Sequence, residues 1–482
     1  MAAKLGSLAI TGSSILTIAA TKIAADADAL GKITTGYTVI PAGTIGAAAA
    51  IGIPSSILSR FTTGLVISDT TTNISSAFGI GRSALPVSII TEIDNAPLLI
   101  SYGQWAANAN LVAALSPSMT LIVDQVDPAN FTAVSSDPHV TSVVTTSGLT
   151  VPLDQAEYLY IAYFGRAAEP GGLAYWAGLL SGITDLHNAA MGFGTTAEAA
   201  SRYALFAKIA ANLTPTSDDI TTFLTSVYQN LLNRSPDPGG LAYWASIIQS
   251  RLSIPDSTQR ALQIGAIPAD LIGGAFAGNN AGYRLDQATL QNKVGVAEAF
   301  SAKMASVGPA PNAEGVSIPL IASVDWSLAS RISAKALGDG ELMGQSGLIA
   351  SNVPVSTALF WQADPHVSSF TIKDTAATVA AALASLNSDG KLGAIAFADD
   401  GTPSLSISYT QYTSDSAVLD KISSSYSLVV SAVPVAAAAT LQANSHVTSP
   451  SVPTPMRHRP PGSLPLRATG KTSKWSCPAR QP

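Results

Sequence analysis

Two sets of residues repeat in type and spacing and could hold a ligand: Arg166, Tyr175 and Trp176, then Arg234, Tyr243 and Trp244. In each set the tryptophan stands ten positions after the arginine. A guanidinium presents a planar fork of donors to phosphate or carboxylate, and an aromatic face suits a sugar ring, so the chemistry on offer is glycan binding. The same residues have a plainer reading, in which the indoles fill a core and the arginines sit beside the unpaired carbonyls of a helix end. His139, His366 and His446 recur at one position of a longer repeat, each followed by Val and a Ser or Thr pair, which favours a structural role. A zinc site needs ligands that converge, and the sequence shows no short-spaced set of them; His187 and His458 are isolated. Asp69 and Asp374 also recur with the repeat and read as helix N-caps rather than catalytic carboxylates. Asp389, Asp399 and Asp400 lie near glycines, but neither the EF-hand spacing nor the glycine-rich nonapeptide is present, so calcium has little support. There is no Gly-x-Ser-x-Gly elbow, no phosphate-binding Gly-Lys-Ser/Thr loop and no His-Glu-x-x-His helix. The expectation is a chain without catalytic residues, metal or cofactor.

The elements that must position the repeated set can be read around it. Residues 157–180 align with 225–248, and the string Pro-Gly-Gly-Leu-Ala-Tyr-Trp-Ala is identical at 170–177 and 238–245. A helix carrying Tyr160 and Phe164, or Tyr228, Leu231 and Leu232, should end at Gly165 or Asn233, the residue types that most readily turn left-handed. Glu169 or Asp237 then precedes Pro-Gly-Gly, which launches a second helix with Leu173, Trp176 and Leu180, or Leu241, Trp244 and Ile248, on its apolar face.

This pattern of Tyr, Gly-Arg, an Asp-Pro-Gly-Gly-like turn and Leu-x-Tyr-Trp resembles the bacterial family catalogued as domain of unknown function 4214. The resemblance spans about 153–305, roughly a third of the chain. It implies a helical module that often occurs in tandem, is similar to the phycobilisome linker domain and recurs in large exported proteins. It also implies a likeness to the lipopolysaccharide-anchoring region of some S-layer proteins. Two positions depart from the family pattern: Asn233 replaces a glycine and Glu169 replaces an aspartate.

On either side lies a different repeat. Residues 348–369 align without gaps to 428–449, 100–142 to 407–449, and 16–40 to 405–429. In the most complete unit, the pattern predicts a strand at 369–373, a helix starting at Thr375 with Val379, Leu383 and Leu386 inward, and a strand at 392–398. A third strand at 405–408 leads to a helix capped near Thr413 or Ser414, with Val418 and Ile422 inward; Tyr426–Val430 and the stretch from Val447 read as strand. Strands alternating with helices imply parallel pairing. The predicted fold class is an α/β repeat of solenoid-like units of about 80 residues, with an inserted all-α duplicated domain. The expected divisions are 1–150, beginning mid-repeat, 151–310, 311–449, and a basic, proline-rich tail at 450–482.

Composition bounds the partners. Charged residues make up 12 % of the 482 positions, about half the typical share, so Ala, Ser, Thr and Gly must form a neutral-polar surface. The tail holds six basic residues and no acid, which leaves the body with 19 basic against 31 acidic residues. An acidic body disfavours nucleic acid, whose affinity comes from cations on phosphate. No apolar run is long enough to span a membrane, and residues 4–20 are too interrupted for a signal peptide. The single cysteine, Cys477, makes no internal disulfide. The abrupt change at the tail reads as a truncated or frame-shifted end, which puts this chain's own export in doubt. These features point to a non-catalytic bacterial surface or exported protein with a structural or adhesive role. Its expected partner is lipopolysaccharide or another envelope glycan, or a second copy of itself; the rival is an intracellular, linker-like scaffold.

Overall fold

The computed structural model describes residues 6–81, 84–182, 184–308, 312–399 and 401–450. Apart from Pro450, the basic tail lies outside the described residues, with Cys477 and His458, and so does Asp400. The chain is a mixed α/β fold. Strands form small sheets of two or three, and within each sheet every pairing is parallel. None closes into a barrel.

The unit at 367–450 shows how sequence becomes structure. Strand Val367–Asp374 pairs with Leu392–Phe397, and between them helix Ala376–Leu386 turns Val379, Leu383 and Leu386 into the core at 0 %, 0 % and 2 % exposure. Strand Ser404–Ser408 pairs with Ser427–Ser431, which pairs with Val447–Pro450.

Two expectations need correction here. The helix cap after the first strand is Thr375, whose hydroxyl accepts from the Thr378 amide, and Thr70 plays the same part in the earlier unit. Asp374 is freed for a longer reach: its Oδ1 accepts from Thr375 N at 2.8 Å and its Oδ2 from Val355 N at 3.0 Å. Asp69 likewise accepts from Thr70 N and from Ala47 N, each at 2.8 Å. The acids therefore join each strand end to the first turn of the preceding helical segment. Asp94 and Asp399 repeat the device on Thr71 N and Ala376 N. The second correction concerns the helix placed near Thr413: there are two short helices, Tyr409–Ser414, capped by Ser408 in a box with Gln411, and Ser416–Leu419, which follows Asp415 and carries Val418. Val418 still faces inward, at 1 % exposure.

The recurring histidines close a local turn. In each, the backbone N–H of the histidine donates to the side-chain oxygen two residues earlier: Asp137 for His139, Asp364 for His366 and Asn444 for His446.

Between the sheets the chain is helical from Pro152 to Leu342 (residue 183 and residues 309–311 aside), and the next strand starts at Leu348. One apolar core runs continuously from Ala156 through these helices into the sheets up to Leu441. A second core spans Ala20 to Val143 and takes in Leu328. The long helix Ala281–Val307 lies at their junction, and its buried Gln287, Thr289, Gln291, Asn292, Lys293 and Ser301 each make at least one hydrogen bond. Gln291 exchanges two hydrogen bonds with the Thr145 backbone, at 2.8 and 3.1 Å, and Arg284 pairs with Asp124 at 2.9 Å. Among the described residues no helix is long and apolar enough to cross a membrane.

Candidate functional site

The two hairpins that carry the repeated Arg, Tyr and Trp are built alike. Helix Pro152–Phe164 ends on Gly165 at φ 64°, and helix Ser217–Leu232 ends on Asn233 at φ 54°. Asparagine is tolerated there and adds a side chain that works: its Nδ2 donates to Val324 O, and its Oδ1 accepts from the buried Lys293 ammonium at 2.6 Å. Lys293 also donates to Asn230 O at the same helix end; burial draws its pKa down to about 7.

After each turn, proline occupies the first helical position, ahead of Pro170–Leu180 and Pro238–Leu252. The last glycine of Pro-Gly-Gly is dictated by crowding. A Cβ on Gly172 would lie 2.0 Å from the Tyr160 hydroxyl, and one on Gly240 would lie 3.1 Å from the Tyr228 hydroxyl. Asp237 is short enough to cap its own helix, accepting from Gly240 N at 2.8 Å, and that bond holds its carboxyl below the usual range. Glu169 is one methylene longer and makes no such cap. It accepts instead from the Tyr160 hydroxyl at 2.8 Å and from Arg166 at 2.9 Å.

From here the hairpins diverge. Arg166 is 7 % exposed, and besides Glu169 its guanidinium grips both carboxylate oxygens of Glu198, at 2.8 and 3.1 Å. Trp176 packs on Phe193 with ring centres 4.6 Å apart, so helix Leu186–Phe193 covers it. The first hairpin is thus filled by the protein's own acid and ring.

The second hairpin opens onto a groove of about 750 Å³. Tyr228, Arg234, Asp237 and Trp244 line it from the hairpin, Tyr283 and Asp286 from the long helix, and Trp326 from the following turn. Leu231, Leu271, Ile272 and Leu290 add apolar surface. Arg234 remains 46 % exposed; it pairs with Asp286 at 2.8 Å and lies 5.7 Å above the Tyr228 ring. The Asp286 bond holds the guanidinium firmly charged. Trp244 meets the edge of Tyr243 at 5.0 Å.

Of the residues singled out in the sequence, the groove therefore takes Arg234 and Trp244. Arg166 and Trp176 are turned to internal packing. Tyr175 and Tyr243 are 61 % and 59 % exposed and stand outside the groove wall. Sequence reasoning missed Tyr283, Asp286 and Trp326. Asp286 lies 52 positions from the arginine it pairs with, and no local pattern announces that meeting. The arrangement offers aromatic walls, one cation, two carboxylates and an apolar floor, a set suited to holding a polar ring.

A family model for a domain of unknown function, DUF4214, matches residues 211–253, the hairpin that forms one wall of this groove. No curated protein and no solved structure matched the chain.

Proposed function

We propose that this is a non-catalytic bacterial surface or exported protein of structural or adhesive role, which holds an envelope glycan in the groove beside Trp244. The observation that carries the reading is the contrast between two hairpins with the same helix-start string: in one the arginine is buried on Glu198 and Glu169 and the indole packs on Phe193, whereas in the other Arg234, paired with Asp286, stays 46 % exposed and lines an open groove with Trp244. In the filled hairpin an anion sits on the arginine and a ring on the tryptophan. In the open hairpin Asp286 holds one side of Arg234, and a phosphorylated or acidic sugar, of the kind lipopolysaccharide carries, would meet the exposed remainder of the guanidinium while stacking on the indole. On this reading the hairpin at 152–180 is a second, internally satisfied member of the same family.

The flanking sheets are read as coils of a β/α solenoid. Ile15 pairs with Thr38, Leu65 with Val87, Leu98 with Leu121, Leu121 with Val140, Phe370 with Leu392, Leu405 with Leu428 and Leu428 with Val447, so one turn takes 19–23 residues. Such coils supply length and a weakly charged surface around the binding module. Self-association or a linker-like scaffold is the second reading, favoured by the exposed rings of Tyr175 and Tyr243.

Titration of the full chain with purified lipopolysaccharide and envelope polysaccharide, with and without calcium, tests the proposal. Saturable binding should weaken by at least about tenfold in Trp244→Ala, consistent with ~1–3 kcal/mol for a stacked ring, and in Arg234→Ala. It should persist in Tyr175→Ala. Binding that ignores Trp244 and Arg234 would return the hairpin to a purely structural role.

A further inference from the structure

We infer that Glu341, Asp364 and His366 form a binding site for one divalent transition-metal ion, zinc being the best match. The three come from different elements. Glu341 lies in the last turn of helix Leu328–Leu342, Asp364 ends helix Ala358–Ala363, and His366 precedes strand Val367–Asp374. One potential ligand atom from each falls within 4.8 Å of the others. His366 Nδ1 lies 2.9 Å from Glu341 Oε2 and 3.7 Å from Asp364 Oδ1. Atoms each bound to zinc at ~2.0–2.1 Å in a tetrahedral arrangement stand about 3.4 Å apart, so these separations bracket the required one.

Burial supplies an independent sign of a missing partner. The Glu341 side chain is only 2 % exposed, and its second oxygen, Oε1, has no hydrogen-bond donor. A buried carboxylate oxygen left alone costs on the order of 1–3 kcal/mol or more, which a cation would offset. Two carboxylates and a neutral imidazole balance a double positive charge, and the imidazole favours zinc over calcium or magnesium. His366 is 37 % exposed, which leaves a route for the ion and room for a water as fourth ligand. The neighbouring cation Lys391 is tied by its ammonium to the backbone oxygen of Asp364.

The related positions of the repeat lack the set. At His139 the partner acid Asp137 is engaged by the Trp105 indole at 2.9 Å, and at His446 the acid is replaced by Asn444 with Tyr426 stacked at 4.4 Å. Glu341 comes from outside the repeat, so the repeat does not account for its meeting with His366. The sequence reading found no converging ligands because this third one lies 23 positions before the Asp-x-His pair.

The test is calorimetric titration of the metal-stripped full chain with zinc chloride alone, with cobalt(II) absorption as the second readout. One site should appear, and affinity should fall by more than about tenfold in both Glu341→Gln and His366→Gln. It should be unchanged in His139→Gln and in the tail variant His458→Gln with Cys477→Ser. Thermal melts of each apo variant check that it is folded; His366→Gln, at a partly exposed position, serves if Glu341→Gln does not fold. No zinc binding by the folded wild type overturns the site. So does binding that survives His366→Gln or is abolished by the tail variant.

Discussion

At the scale of single residues, the architecture turns on a few positions where a side chain has no room or a charge has no water. Gly171 and Gly172 are neighbours with opposite demands: a Cβ on the first meets nothing within 4 Å, whereas on the second it would strike Tyr160 and Glu169. Gly172→Ala should therefore cost about 1–3 kcal/mol, and Gly171→Ala should stay within about 0.5 kcal/mol of wild type. Denaturant midpoints at unchanged m-value give the comparison. Glu157 is the clearest buried charge. It accepts from Ala168 N and from the Ser301 hydroxyl, yet burial pushes its pKa up to about 7. A raised carboxyl pKa stabilises the fold most below the unfolded value of about 4.5 and loses that contribution as pH climbs through about 7. Stability should thus fall between these values, by about 3 kcal/mol from this group. Glu157→Gln should flatten that part of the pH profile, and an unchanged slope would show that Glu157 titrates normally.

At the scale of elements, the flanking units and the hairpins were legible because their signals are local. The Val379, Leu383 and Leu386 stripe, the left-handed Gly165 and Asn233, and the Pro-Gly-Gly helix starts all lie where spacing and residue type put them. The Ser408-x-x-Gln411 box was equally visible in the sequence and starts an extra helix ahead of the one that follows Asp415. The reach of Asp69 and Asp374 was not legible, because their second acceptors serve Ala47 and Val355, in another turn of the chain. That reach has a measurable consequence. Thr375→Ala removes one cap bond and should cost ~1 kcal/mol. Asp374→Ala orphans two backbone donors and should cost more, about 2 kcal/mol or above. Equal losses in thermal or denaturant melts would mean the longer bond contributes nothing. The groove was half legible for a related reason: Arg234 and Trp244 belong to the repeated hairpin, whereas Tyr283, Asp286 and Trp326 reach it only through the packing of the long helix. That helix carries buried Gln287, Gln291, Asn292 and Lys293, so its polar sequence conceals a central position.

At the scale of the molecule, a duplicated hairpin is set among parallel sheets, with one copy closed on itself and the other facing a cavity. Both copies share the core that runs into the sheets up to Leu441, but the first also turns its arginine and indole onto internal partners, Glu198 and Phe193. The second presents its arginine and indole at the seam where hairpin, long helix and the Trp326 turn meet. Hydrogen–deuterium exchange of the full chain with and without envelope polysaccharide tests this division most directly. The account predicts new protection in 228–244 and 280–290, with 160–176 unchanged. Protection confined to the flanking sheets, or none at saturating polysaccharide, would contradict it.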